Sequence, residues 1–131
     1  MNDPIQSRVR TAVSAALDKK ALDLQVLAVG QVTSIADYFI LCSATSERQA
    51  QAIADGVVDT LRDDGVKPLL VEGATTGRWV LVDYGDFIVH VFTEECRRFY
   101  GLERLWGDAP NVTAELSEEA APANVRRKKT S

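Results

Sequence analysis

Asp83 and Asp86 stand on either side of Tyr84-Gly85, in a stretch (72–106) that reads EGATTGRWVLVDYGDFIVHVFTEECRRFYGLERLW. The same thirty-five residues hold both tryptophans, the only histidine and two of the three tyrosines. Two carboxylates could grip a metal or share acid–base work, but this spacing across a tight turn suits ligation from one strand face poorly. Turn chemistry accounts for both: Asp86 bonding turn amides, Asp83 closing a strand. His90 could act as a general base, yet no nucleophile lies near it in sequence, and a lone strand histidine is more often packed or hydrogen-bonded. Cys42 sits in an apolar run and reads as a small hydrophobe. Cys96, near a helix start, could ionise easily, but Glu94 and Glu95 oppose that. GATTG exposes backbone amides as a phosphate cradle would; it lacks a P-loop's lysine and spacing and reads as a flexible loop leading into Trp79. No catalytic residue, cofactor or metal is expected. Without a CxxC or Cys/His cluster, one histidine does not anchor a zinc site.

The aromatics remain. Arg78-Trp79 at a strand mouth, Tyr84 on a turn and Trp106 at a helix end occupy exposed types of position, Tyr100 is a further candidate, and Phe99 reads as core. Trp, Tyr and Arg dominate binding hot spots, so partner binding and core packing both account for this set.

The elements that must position these residues follow from pattern. Asp3-Pro4 opens a helix with an N-cap and a proline at its first position, and Ile5, Val9, Val13, Ala16, Leu17 and Ala21 keep helical spacing to about residue 21. Leu24 to Val29 is a short strand, and Tyr38 to Ser43 is a buried one. Ser46 and Gln49 form a capping-box pattern before a helix to about Asp64, stopped by Gly65. Leu69 to Glu72, Trp79 to Asp83 and Phe87 to Phe92 are strands, the last two a hairpin. Thr93 caps a further helix, which Gly101 interrupts. The expected fold class is α/β: one domain over 1–109, a mixed five-stranded sheet with helices, the strands at 38–43 and 69–72 parallel through a right-handed helical crossover, and the hairpin as an antiparallel edge. Residues 110–131 lack periodicity and read as a disordered C-terminal tail. Both hairpin strands are apolar on both faces, and about three helices are too few to cover five strands. Apolar surface near the hairpin should stay open, the mark of a partner or of self-association.

Length and charge narrow the partner. The 131 residues are 46% hydrophobic and 26% charged, ordinary for a soluble globular chain. No apolar run suits a membrane span and no signal-peptide core opens the chain, so a cytoplasmic location is expected, with both cysteines as thiols. Net charge is −4. Four basic residues, Arg126 to Lys129, stand near the C-terminus, leaving the body more acidic still. An acidic body grips phosphate backbones poorly and suits a basic partner; DNA and membranes are not expected partners.

ADYFILCSATSERQAQAIAD, EGATTGRWVLVDYGDFIVHVF and RRFYGLERLWGDA together resemble the ribosomal silencing factor family, also called Iojap-like, over about Ile5 to Ala109. Ala44 and Gly101 depart from the family pattern without removing a partner-facing group. The resemblance implies a non-enzymatic translational repressor that binds the large ribosomal subunit through ribosomal protein L-fourteen and sterically blocks joining of the small subunit, with a fold similar to nucleotidyltransferases and frequent dimerisation. The acidic body then implies at most peripheral rRNA contact. A nucleotidyltransferase-like, nucleotide-binding enzyme is the rival reading. It needs a Gly-Ser pair near an Asp-x-Asp or Asp-x-Glu pair, and no glycine here precedes serine and no such acidic pair occurs. A generic dimeric adaptor is a third reading. The docking surface expected from these residues comprises Arg78, Trp79, Tyr84, Asp86, His90, Tyr100, Glu103 and Trp106, with Asp86 and Glu103 meeting basic side chains.

Overall fold

The computed structural model describes residues 4–120; the expected Asp3 cap and the basic run at 126–129 lie outside that range. In chain order the elements are α1 (Pro4–Asp18), β1 (Leu22–Ala28), β2 (Tyr38–Ala44), α2 (Glu47–Asp63), β3 (Leu70–Glu72), β4 (Trp79–Asp83), β5 (Phe87–Thr93), α3 (Glu94–Tyr100), α4 (Leu102–Leu105) and α5 (Thr113–Ala120). The sheet order is β1-β2-β5-β4-β3. β2 and β5 are parallel, and the other neighbours are antiparallel. The class is therefore the expected one: a single α/β domain on a five-stranded mixed sheet.

The caps behave as their chemistry requires. The Gln49 amide donates to Ser46 Oγ at 3.0 Å. The Gln49 side chain reaches one residue further back than a standard capping box, accepting the Thr45 N–H at 2.6 Å. Gly65 and Val66 close α2 by donating to the carbonyls of Arg62 and Leu61, a Schellman arrangement that the positive φ of Gly65 permits.

The hairpin's place differs from expectation. β4 and β5 occupy the interior of the sheet, and β3 takes the edge. Six of the seven β5 residues are buried, as in a central strand, whereas all three of β3 are exposed, as on an edge. β2 and β3 run in the same direction across the α2 crossover but are separated by β5 and β4.

Residues 110–120 also depart from the expected disordered tail. The Val112 N–H donates to the Val26 carbonyl at 2.8 Å, the Ala28 N–H to the Pro110 carbonyl at 2.9 Å, and Asn111 bridges Leu27. This segment covers the β1 edge. α5 follows, with the Thr113 hydroxyl accepting the Val26 N–H and Leu116 buried.

Two cores result, one on each side of the sheet. On the first face α1, α2 and α5 pack over Val26, Ile40, Cys42, Val80, Val82, Tyr84, Val89 and Val91. On the second, Leu27, Phe39, Leu41, Ile88 and Phe92 meet Cys96, Leu102, Trp106 and Ala109 from the segment that carries α3 and α4. Helices of 15, 17 and 8 residues roof the first face, and helices of 7 and 4 residues the second.

Candidate partner-docking surface

Strand alternation sorts the expected docking residues. Along β4, Val80 and Val82 point into the first core, while Trp79, Leu81 and Asp83 are only half-buried. Tyr84 shares the parity of Val80 and Val82 and belongs to the first core, stacked on Phe87 at 4.9 Å. It is 9% exposed, so the expected surface tyrosine is an interior residue. Burial pushes its phenol up to about 12. His90 is likewise interior, 5% exposed, with Phe39 edge-on at 5.0 Å and Phe92 stacked at 6.0 Å. Burial lowers its pKa to about 4, and its Nδ1 accepts the Trp79 indole N–H at 3.1 Å.

Glu103 was expected to face a partner but has one inside. Arg97, nearly buried on α3, donates through Nε to Glu103 Oε2 at 2.9 Å and through Nη1 to the Asp23 carbonyl and to Ser43 Oγ. This guanidinium ties α3 and α4 to β1 and β2. The pair closes across Gly101, whose left-handed φ of 59° ends α3 and starts α4. Asp86 is exposed on the β4–β5 turn, at the end of the hairpin remote from Trp79, which pairs with Phe92. Asp83, not Asp86, bonds the turn: its Oδ1 accepts the Gly85 N–H at 2.7 Å. Arg78 is exposed and pairs with Glu47 at 3.2 Å. The GATTG loop is held against α2, Gln51 donating to the Ala74 carbonyl at 2.6 Å. Trp106 is half-buried, edge-on to Phe39 at 5.3 Å.

What remains open is the β4–β3 end of the second face. Leu81 pairs with Glu72 and Asp83 with Leu70, and directly opposed residues of antiparallel strands share a face. Trp79, Leu81, Leu70, Glu72 and Asp83 thus lie side by side. Tyr100 extends the patch from α3, its ring 4.7 Å from that of Trp79, and Phe99 stands edge-on to Tyr100 at 5.0 Å. Phe99, read as core from sequence, is 80% exposed, and Leu105 is 69% exposed. Helical spacing could have found Phe99: Arg97 faces the sheet, and a residue two positions on points away. The carboxylates on this surface are Glu72 and Asp83, which the sequence reading did not select. Among the described residues no group of three or more His, Cys, Asp or Glu is placed to hold a metal, and no helix is long and apolar enough to cross a membrane.

Fold and surface together define an α/β domain that presents an aromatic-apolar patch edged by acids. The family model described as "Ribosomal silencing factor during starvation" matches residues 2–131, and the chain belongs to that family. It is 43% identical over 110 residues to the ribosomal silencing factor of Halalkalibacterium halodurans, covering 84% of this chain and 94% of that one. It is also 43% identical over 105 residues to that of Bacillus subtilis, covering 80% and 89%. A solved structure from Chromobacterium violaceum superposes with a TM-score of 0.78 at 37% identity, covering 80% of this chain and 88% of that one.

Proposed function

We propose that this protein is a cytoplasmic, non-enzymatic repressor of translation that docks on the large ribosomal subunit, chiefly on ribosomal protein L-fourteen, and excludes the small subunit by occupying the joining face. Family membership carries this reading. The open β4–β3 surface supports it: Trp79, Leu81 and Tyr100 offer an apolar centre, Glu72 and Asp83 an acidic edge, and the chain's net charge is −4. Such a surface favours a basic protein over a phosphate backbone. An interface of about 800 Å² per partner is within reach of one sheet face plus a helix end. Activity by exclusion requires affinity and geometry, not turnover.

Co-sedimentation with purified large subunits through sucrose tests the reading: the protein should travel with the subunit at moderate salt, and protein left at the top of the gradient refutes it. Self-association is favoured by a separate observation. Leu69, Leu70 and Val71 at the β3 edge are all exposed, and uncovered edge strands pair readily. Concentration-dependent sedimentation without subunit binding would select the dimeric adaptor instead.

A further inference from the structure

Trp79 and His90 are diagonal neighbours on the antiparallel β4–β5 pair, Trp79 opposite Phe92 and Leu81 opposite His90. The indole Nε1–H donates to His90 Nδ1 at 3.1 Å. Accepting at Nδ1 leaves the proton of the neutral imidazole on Nε2, and that nitrogen is buried with no hydrogen-bond partner among the described residues. An orphaned buried donor is unfavourable. A leucine would fill the same space without one, so packing alone does not account for a histidine here. What the histidine supplies is an acceptor. Its ring is held between Phe39, Phe92 and Trp79 at 5.0–6.0 Å, so the acceptor stays fixed in direction. Burial keeps the imidazole neutral, with its pKa at about 4, and leaves the Nδ1 lone pair free for the indole.

We propose that His90 is a positioning residue: it holds the Trp79 N–H inward, so that the docking surface offers an indole ring without a donor and fits an apolar group on the partner, not a hydrogen-bond acceptor. Tyr100 at 4.7 Å and Phe92 at 5.0 Å complete the clamp on the ring. The partner half of this proposal rests on the docking reading above; the indole half does not.

The test uses the full chain with purified large subunits as probe, and the indole N–H resonance as a second readout. His90→Leu removes the acceptor; His90→Asn keeps an oxygen near the position of Nδ1. With His90→Leu, exchange of the Trp79 indole proton should accelerate and subunit affinity fall by about tenfold, and His90→Asn should recover most of both. Trp79→Phe should bind within about threefold of the wild type, while Trp79→Ala should lose about thirtyfold. If Trp79→Phe is as damaging as Trp79→Ala, the partner takes the N–H and the proposal is overturned. Unchanged indole exchange in His90→Leu also overturns it. Should His90→Leu not fold, His90→Asn decides, since loss of the slowly exchanging indole proton there contradicts the pairing. If the wild type itself fails to bind subunits, the docking reading falls, while indole exchange still decides the role of His90.

Discussion

The two faces of the sheet receive nearly the same material from β4 and β5 and end differently. The first is closed by α1, α2 and α5 over aliphatic side chains, so that Ile53, Val57, Val80 and Val89 are wholly buried. The second has only α3, α4 and the 106–109 segment above it; its aromatics interlock through Phe92, His90 and Trp79, yet Trp79 and Leu81 on β4 stay half-open. Apolar alternation in a strand therefore states what must be covered but not by what. Where the chain runs out of helix, the uncovered part is available to another molecule.

The widest separation of the faces should come from their anchors. Arg97→Ala removes the cation that fastens α3 and α4 and leaves Glu103 without its partner. It should cost about 3–5 kcal/mol in denaturant unfolding and abolish subunit binding. Ile53→Ala on the first face should cost about 2–5 kcal/mol and leave the affinity of the molecules that remain folded unchanged. Equal binding losses in the two variants would mean that the faces are not functionally distinct.

Acid and alkali sharpen the same contrast. His90 on the second face has a folded pKa of about 4 against about 6.5 when unfolded. The unfolded chain therefore binds the proton first. Its contribution is full above pH 6.5 and is lost as pH falls toward 4, up to about 3 kcal/mol. His90→Leu should flatten that limb in a comparison of unfolding against pH. On the first face, Tyr84 at about 12 against an ordinary 10, and Cys42 at about 12 against 9, work in the opposite sense. Stability is full below pH 9 and falls as pH rises to 12, and Tyr84→Phe should flatten part of that limb.

Smaller effects follow on the docking side. Trp79→Ala should weaken subunit binding by about 2 kcal/mol, whereas Asp86→Ala, at the far end of the hairpin, should change it by less than about 0.5 kcal/mol. Tyr84→Phe at neutral pH is also a small change, read in stability. Its hydroxyl is buried without a hydrogen-bond partner among the described residues, so unfolding should shift by less than about 1 kcal/mol, toward greater stability.

Much of this molecule was legible in its residues. The β4–β5 hairpin, the Ser46 and Thr93 caps and the Gly101 break followed from local chemistry, and the resemblance carried by WVLVDYGDFIVHVF and FYGLERLW pointed to the family; the expected count of about three helices is too low, since five are described. The faces of Tyr84 and Phe99 are also within reach of period and helical spacing, but a turn position puts Tyr84 at the surface and the usual burial of aromatics puts Phe99 in the core, each opposite to where it lies. Other features depend on tertiary partners that spacing does not encode. Arg97 meets Glu103 only because Gly101 turns the chain between them. α5 is anchored by β1 through the Thr113 hydroxyl and by burial of Leu116, so a segment with weak periodicity still finds a place. Glu72 joins Leu81 on the open face only through the β3–β4 register, whereas Asp83 shares that face with Trp79 and Leu81 by strand alternation alone.

The most direct test of exclusion at the joining face is light scattering on mixing purified large and small subunits with increasing amounts of the protein. The account predicts that the wild type suppresses joining in proportion to its occupancy of the large subunit, and that Trp79→Ala at the same concentration does not. Subunits that join at the normal rate and extent while the protein remains bound to the large subunit would contradict it.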